Sequence, residues 1–158
     1  MTRGFSIIAI TFLISLVLSI LPMPESLQLY RIQWTALVLI YWCMAVPERV
    51  GVGVGFLVGL LLDILTGTLL GQHALGLSVI SFVVIKTYRR VRVFPLWQQS
   101  VFVVLLLLLE RLLFFWVDGT IGRPAKGTES WIAPLLGGLI WPWLFIIMRD
   151  LRRRFHTS

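Results

Sequence analysis

The chain of 158 residues is 58% hydrophobic and 13% charged, whereas an ordinary soluble domain carries about a quarter charged residues. At about 20 residues per transmembrane helix, six spans take roughly 120 residues, which leaves no room within this sequence for an ATPase, protease or periplasmic enzyme domain, or for the inverted repeats of most secondary transporters. The net charge of +7 would point to nucleic acid in a soluble protein, but here it reads as topogenic charge, with no nucleic-acid partner.

Apolar runs bounded by charge or proline predict an all-α, polytopic membrane protein: one domain over residues 1–158, a compact bundle of six transmembrane helices at 4–21, 29–46, 50–70, 73–88, 96–117 and 131–148. The first run follows Arg3 and ends at Leu-Pro-Met-Pro-Glu without a small-residue cleavage pattern, so it reads as a retained span rather than a signal peptide. The second holds Cys43, whose solitude excludes an internal disulfide or a cysteine metal site. The third and fourth are separated only by Gly71 and Gln72. Merged, residues 50–85 would make a helix of about 54 Å, far beyond a bilayer core of about 30 Å, so a tight turn divides them. In the sixth, Trp141-Pro142-Trp143 sits mid-span. The proline removes a backbone donor and bends the helix, and the two indoles pack against neighbours or lipid rather than bind a ligand.

Charge asymmetry orients the bundle. With both termini cytoplasmic, ten of the fourteen basic residues lie inside: Arg3, Arg49, Lys86, Arg89, Arg90, Arg92, Arg149, Arg152, Arg153 and Arg154. Arg31, Arg123 and Lys126 lie outside, and Arg111 lies within a span. Merging spans three and four would move Lys86 to Arg92 outside, against the charge rule. The basic groups at Lys86, Arg89, Arg90, Arg92, Arg152, Arg153 and Arg154 either do no more than set topology or contact anionic lipid or a partner. Trp34, Trp42, Trp97, Trp116 and Trp131 fall near span ends, where indoles favour the interface.

The most specific pattern is a stripe with every fourth residue small or acidic: Gly51, Gly55, Gly59, Asp63, Gly67 and Gly71. Such a track suits close helix crossing, because missing side chains let backbones approach. Thr11, Ser15 and Ser19 of the first span make a small polar track that could receive it, and a partner's helix could use the same groove. Asp63 is an ionisable group inside the bilayer, which is costly and points to function or a buried partner. It lies about 20 Å from the inner end of its span, and Arg111 about 22 Å from the inner end of its own. An intramembrane ion pair between Asp63 and Arg111 is therefore one expectation. The alternative gives Asp63 a backbone-bonding role near Thr66 and Gly67, and lets Arg111 snorkel outward. Glu110 adjoins Arg111 in sequence but points about 100° away on the helix.

No catalytic constellation is found. The two histidines, His73 at the outer turn and His156 in the tail, are not spaced for zinc, and neither a phosphate loop nor a nucleophile elbow is present. The sequence therefore predicts no enzyme activity, no metal and no cofactor.

The run Tyr41-Trp42, then Val46-Pro47-Glu48-Arg49, then the block from Gly51 through Asp63, Gly67 and Gly71 to His73, resembles the rod shape-determining protein MreD family of Gram-negative bacteria. The stretch Arg92-Val-Phe-Pro-Leu-Trp-Gln-Gln99 and the Trp141-Pro142-Trp143 triplet before the basic tail extend the resemblance over nearly the whole chain. The resemblance implies a noncatalytic component of the cell elongation machinery in the bacterial inner membrane. It also implies association with the bitopic protein MreC and, through it, with the MreB filament, the RodA glycosyltransferase and its partner transpeptidase. A fold similar to the substrate-binding membrane subunits of energy-coupling vitamin transporters is implied as well. What carries over is the block around Gly59, Asp63, Gly67 and Gly71 as a structural or partner-binding element. The Glu110-Arg111 pair is not part of the family pattern.

Two readings follow. One is a scaffold that binds partner helices and so positions peptidoglycan synthesis. The other is a small-molecule binding subunit of a membrane transporter, with Asp63, Gln72 and His73 around an outward-facing pocket.

Overall fold

The computed structural model describes residues 2–20, 34–46, 50–66, 71–91, 93–120, 122 and 132–154. Six helices make up those residues: α1 (Thr2–Ile20), α2 (Trp34–Ala45), α3 (Val52–Thr66), α4 (Gln72–Val91), α5 (Leu96–Thr120) and α6 (Ile132–Arg154). There is no strand among the described residues. The long apolar stretch in the middle of the chain is divided before α4, where Gly71 has φ +100°, a left-handed conformation that glycine adopts without the cost of a Cβ. Its carbonyl accepts from Leu75 N–H at 2.8 Å, the first hydrogen bond of α4.

The core is built around α2. Every residue from Thr35 to Met44 is buried, as expected of a helix that is apolar on all sides, and α1, α4, α5 and α6 all pack against it. Its polar side chains are accommodated there. Trp42 Nε1 donates to Thr11 Oγ1 of α1 at 2.9 Å, and Thr11 in turn donates to Ile8 O at 2.8 Å. Tyr41 meets Trp42 and Phe145 of α6 edge to face, with centroids 5.4 and 5.6 Å apart. Trp42 is thus a core residue, where the sequence placed it at a membrane interface. Proximity to a span end does not expose an indole that a neighbouring helix covers and whose N–H finds a hydroxyl.

Trp141 and Trp143 part company. Trp141 is fully buried and Trp143 is 68% exposed, since two residues along a helix is about 200° of rotation. Trp141 Nε1 donates to Gln99 Oε1 at 3.2 Å, and Gln99 Nε2 donates to Val91 O at 3.1 Å. This chain of two bonds joins the last residue of α4, the first turn of α5 and the middle of α6 at one level of the bundle.

The outer surface is apolar. Ile10, Leu13 and Ile14 of α1, Leu57, Leu61 and Ile64 of α3, and Leu105, Leu112 and Trp116 of α5 are all at least half exposed. Soluble monomers rarely show contiguous apolar patches beyond a few hundred Å², so this is the exterior of a membrane protein. Among the described residues, two helical stretches are long and apolar enough by themselves to cross a bilayer, Leu96–Val117 and Pro134–Leu151. The stretches Ser6–Leu18, Trp34–Ala45 and Val52–Leu65 are apolar but shorter.

Candidate functional site

Three of the buried polar residues, Asp63, Gln72 and Glu110, lie where the start of α4 meets α3 and α5. Gly55, Gly59 and Asp63 occupy one face of α3 at i, i+4 and i+8, and that face lies against α4. A Cβ at Gly59 would overlap Ala74 Cα and come within 2.6 Å of Ala74 N and 2.8 Å of the His73 carbonyl carbon. One at Gly55 would overlap Ser81 Oγ and reach Leu77 O at 3.0 Å. The absence of side chains here sets how closely the two helices approach, and at Gly59 it brings the first turn of α4 within reach of the next residue of the stripe.

That residue is Asp63. Its Oδ2 accepts from Gly71 N–H at 2.8 Å and Ala74 N–H at 3.4 Å. Its Oδ1 accepts from His73 N–H at 2.8 Å and contacts His73 Nδ1 at 2.7 Å. The first four N–H groups of a helix have no partner within the helix, and that end of the helix carries the positive end of its dipole. A carboxylate supplied by the preceding helix satisfies both demands, as an N-cap delivered from outside the capped segment. Asp63 is wholly shielded from solvent and His73 is 17% exposed, so these charge-assisted bonds form in a low-dielectric setting where they are strong. An ionised carboxylate can only accept, so the ring contact assigns the proton to Nδ1.

His73 links this cap to α5. Its ring lies 4.9 Å from that of Phe114, and Gln72 Nε2 donates to Phe114 O at 3.1 Å. Glu110 is buried against Gly76, whose Cβ would come within 2.9 Å of Glu110 Cγ. Arg111 lies within electrostatic reach of His73 and Glu110, and its Nε is buried without a hydrogen-bond partner. In place of the expected Arg111, it is His73, together with three backbone amides, that engages the Asp63 carboxylate. Equal depth on two helices does not make them neighbours: α3 and α5 each pack on α4, which stands between them.

The remaining predicted residues fall as follows. Gly51 sits near Ile85 of α4, whose Cδ1 a Cβ at that position would meet at 3.3 Å, and Gly71 forms the turn. The stripe thus faces α4 rather than the polar track of α1. Gly67, Arg92 and the side chain of Arg152 lie outside the described residues. Lys86, Arg89, Arg90, Arg153 and Arg154 are exposed. Sequence reasoning missed His73 as the partner of Asp63, reading it as a turn residue of α4. The available signal was a histidine ten positions after a buried aspartate, across a glycine turn. It also missed Gln99, whose packing against Trp141 has no local signature. Among the described residues no group of three or more His, Cys, Asp and Glu side chains is arranged to hold a metal ion. The arrangement fixes one helix end against another.

Comparison with known proteins adds the family context. A family model described as rod shape-determining protein MreD matches residues 2–151. The chain is also similar to a rod shape-determining protein MreD of Haemophilus influenzae, 38% identical over 143 residues that cover 90% of this chain and 88% of that protein. No solved structure matches.

Proposed function

The chain belongs to the MreD family of rod shape-determining proteins, and from that premise we propose that it is a noncatalytic scaffold of the bacterial inner membrane, six-spanning with both termini cytoplasmic. It binds an MreC-like bitopic chain through its apolar outer faces. Through that chain it positions or regulates peptidoglycan synthesis by the MreB filament, the RodA glycosyltransferase and its partner transpeptidase. The observation that carries this reading is the use to which Asp63 is put. The ionisable group deepest in the glycine stripe is engaged by three amides and an imidazole of the same bundle. That role favours a rigid body that presents helix faces over a pocket that receives a ligand. Exposed apolar faces on α1, α3, α5 and α6 are surfaces available to a partner's transmembrane helix, where association rests on close packing.

Copurification in mild detergent tests the proposal. A tagged chain should recover an MreC-like bitopic protein in fixed stoichiometry, and its deletion should round the cells. Recovery of an ATPase module with a bound metabolite would instead establish the transporter-subunit reading. Purification of a monodisperse chain without any bitopic partner would refute the scaffold.

A further inference from the structure

The end of the bundle opposite the Asp63 cap gathers cations around protruding apolar side chains. Helices α4, α5 and α6 are antiparallel in sequence order, and the bonds from Trp141 to Gln99 and from Gln99 to Val91 fix their relative heights. The end of α4, the start of α5 and the C-terminal turns of α6 therefore share one side. Arg149 lies eight residues beyond Trp141, about 12 Å further along the axis, so the last turns of α6 project past the first turn of α5. On this side Arg89, Arg90, Arg153 and Arg154 are exposed, and Arg149 Nε is buried without a hydrogen-bond partner. Asp150 is the acidic residue among the described ones here. Arg89 Nε donates to Tyr88 Oη at 3.4 Å, a contact that stays on its own helix. On the same side, the turn from α4 to α5 exposes Val93 by 80% and Phe94 by 37%, and the first turn of α5 exposes Trp97 by 66%.

We propose that this rim is a binding surface for anionic phospholipid headgroups, with phosphate as the chemistry recognised. The combination selects the ligand. Cations alone would serve nucleic acid or an acidic polypeptide equally well. Cations on the same side of the bundle as an exposed valine, phenylalanine and tryptophan match the boundary between headgroup and acyl chain, where indoles settle and guanidinium groups reach phosphate. The rim also explains the side-chain charge beyond what the ends of the helices need: a C-terminal dipole favours one or two cations in the last turn, and α6 carries its charges across two turns. The inference goes beyond the scaffold reading and does not depend on the identity of any protein partner.

The test compares the whole chain in nanodiscs of phosphatidylcholine with and without phosphatidylglycerol, reading thermal stability and the lipids retained in native mass spectrometry. Phosphatidylglycerol should be retained preferentially and should raise the melting temperature, an effect that fades with salt. Each of Arg89→Gln, Arg90→Gln and Arg153→Gln should weaken the preference about fivefold, which corresponds to about 1 kcal/mol per basic side chain near an anionic surface. The triple lysine variant at the same positions keeps the charges and should keep the preference, which separates charge from folding. Equal retention of the two lipids, or a preference untouched by the glutamine variants, would overturn the proposal. So would full stabilisation by free glycerol phosphate in detergent, which would make the rim a soluble-phosphate site. Tighter binding of polyglutamate than of anionic vesicles would assign it to an acidic protein.

Discussion

Replacing Asp63 by alanine removes the acceptor for two amides at 2.8 Å, a third at 3.4 Å and the His73 ring at 2.7 Å. A buried donor left without a partner costs about 1 to 3 kcal/mol. Gly71 is only partly buried, so water can replace part of what its amide loses. Counting the three short contacts near the lower end of that range gives a destabilisation of about 3 to 5 kcal/mol for Asp63→Ala. Asp63→Asn should fall between that value and zero, because one oxygen still accepts while the new NH2 group faces donors. His73→Ala removes one of the contacts and a ring packed on Phe114, about 1 to 2 kcal/mol, and leaves the amide bonds in place. Denaturation of the purified variants in one detergent, followed by intrinsic tryptophan fluorescence, measures the series, and limited proteolysis across residues 67–72 reports release of the α4 end. The Asp63 and His73 substitutions should couple in a double-mutant cycle by about 0.5 to 3 kcal/mol, whereas those at Asp63 and Arg111 should add within about 0.5 kcal/mol. Equal losses from Asp63→Ala and His73→Ala, or rescue of Asp63→Asn by Arg111→Gln, would refute the cap and restore an Asp63 to Arg111 pair.

Three other outcomes are expected. Gly59→Ala should sharply reduce folded yield, because its Cβ would meet the backbone of Ala74 and His73, while Gly53→Ala, with nothing within 4 Å of its Cβ, should be neutral; size-exclusion profiles of the two compare them directly. Trp141→Phe should cost about 1 to 3 kcal/mol by stranding Gln99 Oε1 in the core, against under about 0.5 kcal/mol for the exposed Trp143→Phe, a contrast visible in chemical denaturation. A reporter fused after Ser158 should read cytoplasmic and one inserted near Lys126 periplasmic; a periplasmic signal from the C-terminal fusion would remove the six-span topology.

Hydropathy is a local property of the chain, and the helices are accordingly legible in the sequence. The run read as 96–117 is α5 at Leu96–Thr120, and the one read as 131–148 is α6 at Ile132–Arg154. The division at Gly71, argued from the length of a bilayer and the side on which Lys86 to Arg92 must lie, coincides with a left-handed glycine. The even spacing of Gly55, Gly59 and Asp63 announced a close helix approach, but not which helix would approach. That choice belongs to the order of helices around α2 and α4, which no local pattern encodes. The central position of α2 was equally hidden: a fully buried helix and one facing lipid are both apolar on every side, since lipid tails and a protein core make the same demand on a side chain. Trp42 and Trp97 both sit near the end of an apolar run, yet one is enclosed against Thr11 and the other is exposed. For the same reason Arg111 seemed the natural partner of Asp63. Depth is set by position along each span and can be counted from the sequence, but azimuth is set by packing. Only the tertiary structure put the start of α4 beside the carboxylate, where its otherwise unsatisfied amides and the His73 ring engage it.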